Sequence, residues 1–120
     1  MADKVNIEEK LSLFDDYWNP RIIGELNGQH VKLAKIKGEF VWHSHENEDE
    51  LFYVISGVLD MHFEDRVEQL KPGEMVVVPK GVMHKPVAHE EVSILLFEPA
   101  STVNTGKVKS ELTRQHLDKI

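Results

Sequence analysis

Four side chains in the middle of the sequence could together bind a metal ion. His43 and His45 are two residues apart, so on a β-strand their side chains leave the same face and can converge on one point. A His-x-His pair alone is weak evidence, because histidines that make ordinary hydrogen bonds are commoner than histidines that bind metal. The residues around the pair decide whether it indicates a metal site.

Glu50 and His84 are the other two candidates. Glu50 follows an acidic turn at 46–49, whose carboxylates we expect in solvent, and it opens the next apolar run. A hairpin there would return Glu50 to the histidine pair, where a buried carboxylate needs a cation or several donors to offset its desolvation. His84 follows the turn Pro79-Lys80-Gly81, and by itself it would carry no argument.

Composition limits the kind of site and the kind of partner. The 120 residues include no cysteine, so any metal must be bound through nitrogen and oxygen. The formal net charge of −7 argues against nucleic acid or an anionic membrane as a partner. The first residues lack the basic and then apolar pattern of a signal peptide, so we expect a cytoplasmic protein.

Short runs rich in Val, Ile and Phe, each closed by a turn signal, fill the chain between Arg21 and Glu98. This pattern predicts an all-β fold, a sandwich, jelly roll or barrel, of eight or so antiparallel strands of about five to eight residues. We expect a single domain over 1–120, with a barrel core at about 21–98, an N-terminal arm at 1–20 and a C-terminal tail at 99–120. The predicted turns are Asn27-Gly28, Lys37-Gly38, Ser56-Gly57, Glu64-Asp65, Lys71-Pro72-Gly73, Lys80-Gly81 and His89-Glu90.

Both extensions carry weak helical signals. Apolar residues at Ile7, Leu11, Phe14 and Trp18 have helical spacing, which predicts a short amphipathic helix or an ordered arm over Ile7 to Tyr17. Ser110 to Ile120 is a second candidate helix, whereas Ser101 to Gly106 has the composition of a loop.

Alternation within the strands predicts which side chains face the core. Leu59, Met61 and Phe63 share one face of their strand, which leaves His62 on the solvent side. On the strand predicted at Glu39 to His45, Phe40 and Trp42 are apolar on the face opposite the histidines. This face needs cover from the N-terminal segment or from a second copy of the chain, and we therefore expect a homodimer.

Two spaced motifs connect the four candidate ligands. The first is Gly38-x4-His43-x-His45-x4-Glu50-x6-Gly57, and the second is Gly73-x5-Pro79-x-Gly81-x2-His84. They resemble the two motifs of the cupins, a family of double-stranded β-helix barrels of the jelly-roll kind. Gly38 precedes His43 by four residues where five is usual, and Ala88 stands where the second motif often ends in asparagine; neither position supplies a ligand in the family.

The resemblance implies one divalent transition metal ion bound by His43, His45, Glu50 and His84. Imidazole and carboxylate ligands suit iron, manganese, zinc, nickel or copper, and the sequence does not choose among them. A six-coordinate ion would keep about two open positions. Such a centre favours a small-molecule ligand or substrate that can chelate the metal.

Two functions fit such a site. One is a metal-dependent enzyme that acts on a small oxygenated metabolite by dioxygenase- or isomerase-type chemistry, and the other is a non-catalytic metal- or ligand-binding cupin with a sensor, storage or scaffold role. The complete ligand set favours the enzyme. The sequence shows no separate general base, so the catalytic residues are unknown; Glu39 and Glu98 are weighed only because strand parity could turn them inward.

Alternation also places apolar side chains beside the metal, where together they could line a cavity suited to a small ring or a short acyl chain; for any single one of them, barrel core is the commoner role. The side chains predicted to line this cavity near the metal are Val41, Phe52 and either Met75 or Val76, with Phe63 and Phe97 deeper.

Overall fold

The computed structural model describes residues 2–120 as seven antiparallel β-strands and one short helix. The elements are α1 (Ile7–Leu11), β1 (Arg21–Leu26), β2 (Gln29–Glu39), β3 (Glu50–Ser56), β4 (Leu59–Phe63), β5 (Val67–Leu70), β6 (Met75–Val78) and β7 (His84–Pro99). Within residues 2–120, no helix is long and apolar enough to cross a membrane.

The 16-residue strand β7 joins the two parts of the sheet. Its C-terminal half lies between β2 and β3, and its first residues pair with β4. Between these parts, residues 89–91 stand opposite Lys37 alone, because Ile36 pairs with Val92 and Gly38 pairs with Ala88. Extra residues on one strand bend it and increase its twist, and here they allow the sheet to curl into the predicted all-β barrel.

The barrel interior follows the predicted alternation. Leu59 and Met61 are fully buried and Phe63 is 8% exposed, whereas His62 lies on the opposite face of β4. These side chains join one apolar cluster with residues from β2, β3, β6 and β7. Burying each large apolar side chain contributes about 1.5–3 kcal/mol, so this cluster is the main source of the barrel's stability.

The turn signals predict most, but not all, strand ends. Asn27 and Gly28 have φ values of 49° and 76° and join Leu26 to Gln29, which confirms the predicted two-residue hairpin. The breaks predicted at Lys37-Gly38 and His89-Glu90 are wrong, because β2 and β7 continue through them by means of the bulge. The strands therefore number seven within residues 2–120, and they span 4 to 16 residues.

The N-terminal helix is much shorter than predicted. It covers Ile7–Leu11. Asn6 is its N-cap, and the Asn6 side chain accepts a hydrogen bond from the Glu9 backbone N–H. Beyond it the chain is irregular, because the barrel binds Phe14 in place: Lys35 donates a hydrogen bond to the Phe14 carbonyl and Arg21 lies over the Phe14 ring. Phe14 and Trp18, two of the helically spaced apolar residues, thus contact the barrel from an irregular segment.

The helix predicted at Ser110 to Ile120 is also wrong. This segment consists of turns, and its end pairs with the first strand: Ile22 N–H donates to the Asp118 carbonyl at 2.9 Å and Ile120 N–H donates to the Ile22 carbonyl at 3.0 Å. Backbone groups that would form hydrogen bonds within a helix instead form them with the edge of β1, so the tail is fixed against the barrel.

Candidate metal centre

Backbone pairing brings the two predicted motifs together. His43 and His84 donate backbone N–H groups to each other's carbonyls at 3.0 and 2.9 Å, and Gly81 N–H donates to the His45 carbonyl at 2.8 Å. The strand predicted at Glu39 to His45 does not form, because β2 ends at Glu39 and only His43 makes a bridge. His43 and His45 therefore lie on a connecting segment and not on a regular strand.

The four predicted ligands meet in the barrel interior. Glu50 is the first residue of β3 and His84 the first of β7. The potential ligand atoms of His43, His45, Glu50 and His84 all lie within 4.8 Å of one another, and none of these residues is more than 4% exposed. The Glu50 Oε1 atom lies 3.2 Å from His45 Nε2 and 3.3 Å from His84 Nε2.

Two backbone carbonyls determine which ring nitrogens face the centre. The Nδ1 atoms of His43 and His84 lie 2.9 Å from the carbonyls of Val41 and Val82. A carbonyl can only accept, so each Nδ1 carries a proton, and in the neutral form of each ring the lone pair is on Nε2. Burial, with the neighbouring His84, lowers the pKa of His43 from 6.5 to about 4, which keeps this ring neutral at pH 7.

His45 and Glu50 complete an electron-rich cluster. Burial acts to raise the pKa of Glu50, but the adjacent His45, His84 and Glu98 side chains outweigh this effect and hold the pKa well below its usual range. Glu50 is therefore a carboxylate. Both ring nitrogens of His45 are buried without a hydrogen-bond partner. The cluster thus holds a carboxylate, two inward lone pairs and buried nitrogens without partners. Burying such groups together costs free energy unless a cation binds among them, and the four residues fit a divalent metal ion.

A buried ion pair lies next to Glu50. Lys32 Nζ donates to Glu98 Oε1 at 2.9 Å, and both side chains are 3% exposed. Burial and the adjacent Glu50 carboxylate raise the pKa of Glu98, while Lys32 opposes this effect. Of the two acids left out of the predicted site, Glu98 is thus inside the barrel, whereas Glu39 is exposed and binds Lys85. The burial of Lys32 was not predicted, although Lys32 lies on the same face of β2 as the inward Ala34 and Ile36, and this spacing was a usable signal.

A small cavity, here called the apolar chamber, opens beside His43 and Glu50, two of the four candidate ligands. It is lined by Trp18, Pro20, Ala34, Ile36, Phe40, His43, Glu50, Phe52, Pro86, Ile94, Leu96 and Asn104. The centres of water-sized spheres can occupy about 40 Å³ of it. One ordered water needs roughly 10–15 Å³ by this measure, so the chamber has room for about three waters or a fragment of similar size.

The chamber differs from the predicted cavity in most of its walls. Phe52 is the one predicted lining residue among those that form it. Met75 is 53% exposed, and Val41, Val76, Phe63 and Phe97 do not line it. Phe40 does, because its ring turns inward against His43 with ring centroids 5.3 Å apart. The predicted face of Phe40 and Trp42 is thus divided, and Trp42 is left 39% exposed.

The family model described as "Cupin domain" matches residues 29–98, which is more than half of the chain. The chain belongs to the cupin family. This range contains the barrel strands from β2 onward and all four candidate ligands, and it confirms the resemblance inferred from the two motifs.

Similar cupins and related proteins occur in several bacteria. The crystal structure of a cupin-2 domain containing protein from Shewanella frigidimarina matches with a TM-score of 0.78 and 49% identity, over 79% of this chain and 93% of that chain. The protein NMB1881 from Neisseria meningitidis matches with a TM-score of 0.75 and 31% identity, over 82% of this chain and 100% of that chain. The protein YdbB of Bacillus subtilis is 41% identical over 64 residues, which is 52% of this chain and 57% of YdbB; the chain thus covers less than two thirds of the curated relatives that it matches.

Residues outside the matched cupin range complete the apolar chamber. Trp18 and Pro20 come from the N-terminal arm and Asn104 from the C-terminal tail. The Asn104 amide is already paired, since its nitrogen donates to the Leu112 carbonyl and its oxygen accepts from the Arg114 N–H. Neither extension was predicted to reach the site, because neither carries a motif.

Trp18 adopts a backbone conformation that is unusual for a bulky residue. Its φ is 59°, and for a residue other than glycine such a conformation costs about 1–3 kcal/mol. Two hydrogen bonds hold it: its backbone N–H donates to the Lys35 carbonyl and its indole N–H to the Lys37 carbonyl, both at 2.9 Å. Its ring stacks on Phe40 with centroids 4.7 Å apart. The arm is thus fixed with an indole against the wall of the chamber.

Proposed function

We propose that this cupin binds one divalent transition metal ion through His43, His45, Glu50 and His84 and acts as a metal-dependent enzyme on a small oxygenated metabolite. The observation that carries the proposal is the orientation of the donors: two inward Nε2 lone pairs, an unpaired buried imidazole and a carboxylate within 4.8 Å of one another. Iron, manganese, zinc, nickel and copper all suit this donor set.

The chain's own residues would bind the metal, orient its ligands and limit the access of water. A bound ion in such a site supplies a Lewis acid or a redox centre beside the substrate. The Val41 and Val82 carbonyls fix the orientation of His43 and His84, while the apolar chamber beside His43 and Glu50 provides a small, mainly apolar space for the substrate. Water exclusion strengthens electrostatic interactions in a site.

The enzymatic proposal is tested with the metal-loaded protein and a panel of small keto acids, phenols and sugars. We expect product from at least one class, with turnover lost in His84→Ala together with metal binding. His116→Ala is the matched control, since His116 is exposed. Turnover that persists in metal-free His84→Ala protein would contradict the mechanism.

A non-catalytic ligand-binding cupin is the second candidate function. The observation that favours it is that, among the described residues that line the chamber, only His43 and Glu50 titrate, and both are metal-ligand candidates. A separate acid or base is therefore missing from these walls. Metal-dependent increases in melting temperature across the same panel, without product from any compound, would support this role in place of the enzyme.

We propose further that the chain forms a homodimer through the outer surface of the sheet. Cross-strand register places two apolar rows on this surface, Val77–Leu51–Phe97 and Met75–Tyr53–Leu95. Tyr53, Met75 and Val77 are 37–53% exposed, and no side chain of the two rows is charged at neutral pH. On a chain of net charge −7, two copies repel each other least at such an uncharged surface, and a flat apolar patch suits its own copy about a two-fold axis.

A further inference from the structure

We propose that Trp18 is a specificity-determining residue, and that the site selects small ligands with an apolar body behind their metal-binding oxygens. The inference rests on the proposed metal function and adds the class of ligand to it. It depends on the walls of the apolar chamber, on its size and on the way in which the N-terminal arm holds Trp18.

The walls discriminate against charged and hydroxylated ligands. Among the described residues that line the chamber there is no lysine or arginine, so the charge of a phosphorylated compound would be left without a partner. Asn104 is the single neutral polar side chain among them, and its amide is paired with Leu112 and Arg114. A sugar would therefore bury hydroxyl groups without partners, which weakens binding.

The size of the chamber limits the ligand to a short apolar body. With about 40 Å³ open to the centres of water-sized spheres, it accepts roughly three non-hydrogen groups. A methyl, ethyl or small flat group fits this space while the oxygens of the ligand face His43 and Glu50, the two metal-ligand candidates that line it. A large aromatic ring system does not fit.

Trp18 forms, with Pro20 and Asn104, the part of this wall that the barrel does not supply. An ordinary core tryptophan needs no strained backbone, whereas Trp18 has a φ of 59° and is held by hydrogen bonds to Lys35 and Lys37. Strain of this kind persists where surroundings impose it, and it is concentrated at functional sites. The ring of Trp18 stacks on that of Phe40, and both apolar side chains line the chamber.

The test compares two hydroxamates that share a chelating head and differ in one hydroxyl group. Protein loaded with zinc is titrated with acetohydroxamate, which carries a methyl group, and with glycolohydroxamate, which carries a hydroxymethyl group. We expect acetohydroxamate to bind about tenfold more tightly, because the extra hydroxyl finds no partner in the chamber. In Trp18→Ala with its zinc retained, the preference should fall to less than about threefold.

Tryptophan fluorescence supplies a second readout that does not require Trp18→Ala to fold. The chain has two tryptophans, so Trp42→Phe leaves Trp18 as the reporter and Trp18→Phe leaves the exposed Trp42. Acetohydroxamate should change the emission of zinc-loaded Trp42→Phe but not that of zinc-loaded Trp18→Phe.

The outcomes separate this inference from the proposed function. Wild-type protein that binds no zinc contradicts the metal function and the inference together. Zinc-loaded protein that binds both hydroxamates equally, that keeps its preference in Trp18→Ala, or that binds acetohydroxamate without a change in Trp18 emission contradicts the role of Trp18 and leaves the metal function standing.

Discussion

The carbonyls of Val41 and Val82 determine the chemistry of the centre as much as the ligands themselves do. By accepting hydrogen bonds from Nδ1 of His43 and His84, they leave Nε2 of each ring as the inward donor. The motif spacing predicts all four ligands but not this orientation, because the carbonyls belong to residues without side-chain chemistry. Lys32 was missed, and Glu98 was weighed but left out, for a related reason: a lysine in a strand is normally assigned to solvent, and here the two side chains are buried against each other.

At the residue scale, we expect the metal-free protein to lose stability on acidification between pH 6.5 and about 4. The pKa of His43 is about 4 in the folded chain against 6.5 in the unfolded chain, so the unfolded state binds more protons in this window and stability falls as the pH falls. A tenfold change in proton affinity is worth 1.36 kcal/mol, which makes the total about 3 kcal/mol.

The measurement is urea unfolding of metal-free protein at several pH values across this window. His43→Gln should remove the contribution of this ring to the pH dependence of the free energy of unfolding, whereas His116→Gln at the exposed position should retain it. An equal slope in wild type and His43→Gln would show that the burial of His43 does not control acid stability.

At the element scale, connecting segments and the tail position the site more than the strands do. The Thr105–Lys107 turn lies against the segment that carries His43 and His45, and a Cβ on Gly106 would stand 2.2 Å from the Ser44 carbonyl oxygen. The turn signals could predict the barrel strands, since Asn27-Gly28 and similar pairs act locally. They could not predict the docking of Trp18 or Gly106, which depends on contacts between distant parts of the chain.

We expect Gly106→Ala to displace Ser44 and to weaken metal binding as well as the fold. Gly28→Ala is the matched control, because Gly28 also has a positive φ, of 76°, but nothing lies within 4 Å of its added Cβ. Backbone strain alone should cost about 1 kcal/mol in both variants, and only Gly106→Ala should also lower metal affinity. Calorimetric titration with zinc, together with urea unfolding, measures the two effects. Equal metal affinities in the two variants would mean that the tail does not position the ligands.

At the scale of the whole molecule, the sheet has one surface that the chain itself leaves partly uncovered. The sequence predicted an apolar face in need of cover, but it assigned that face to Phe40 and Trp42. Alternation alone could not show that Phe40 turns inward onto Trp18, nor that register aligns Val77, Leu51 and Phe97 on the outside. The expected homodimer therefore remains a prediction, now placed on a different surface.

We expect the wild-type protein to sediment as a dimer and Val77→Glu to sediment as a monomer, because the substitution buries a carboxylate without a partner at the interface. Val67→Glu is the control: Val67 is also exposed, at 51%, but it lies on β5 and outside the apolar rows. Circular dichroism checks that both variants remain folded. A wild-type protein that is monomeric at all concentrations, or a Val77→Glu dimer, would exclude this surface as the interface.

The metal content of the purified protein tests the central claim most directly. Protein prepared without chelators and without a metal-binding tag should contain, or take up anaerobically, close to one transition metal ion per chain, and Glu50→Ala and His84→Ala should each lose it while His116→Ala keeps it. A folded wild-type protein that binds no iron, manganese, zinc, nickel or copper, or a His84→Ala variant with full metal content, would contradict the account.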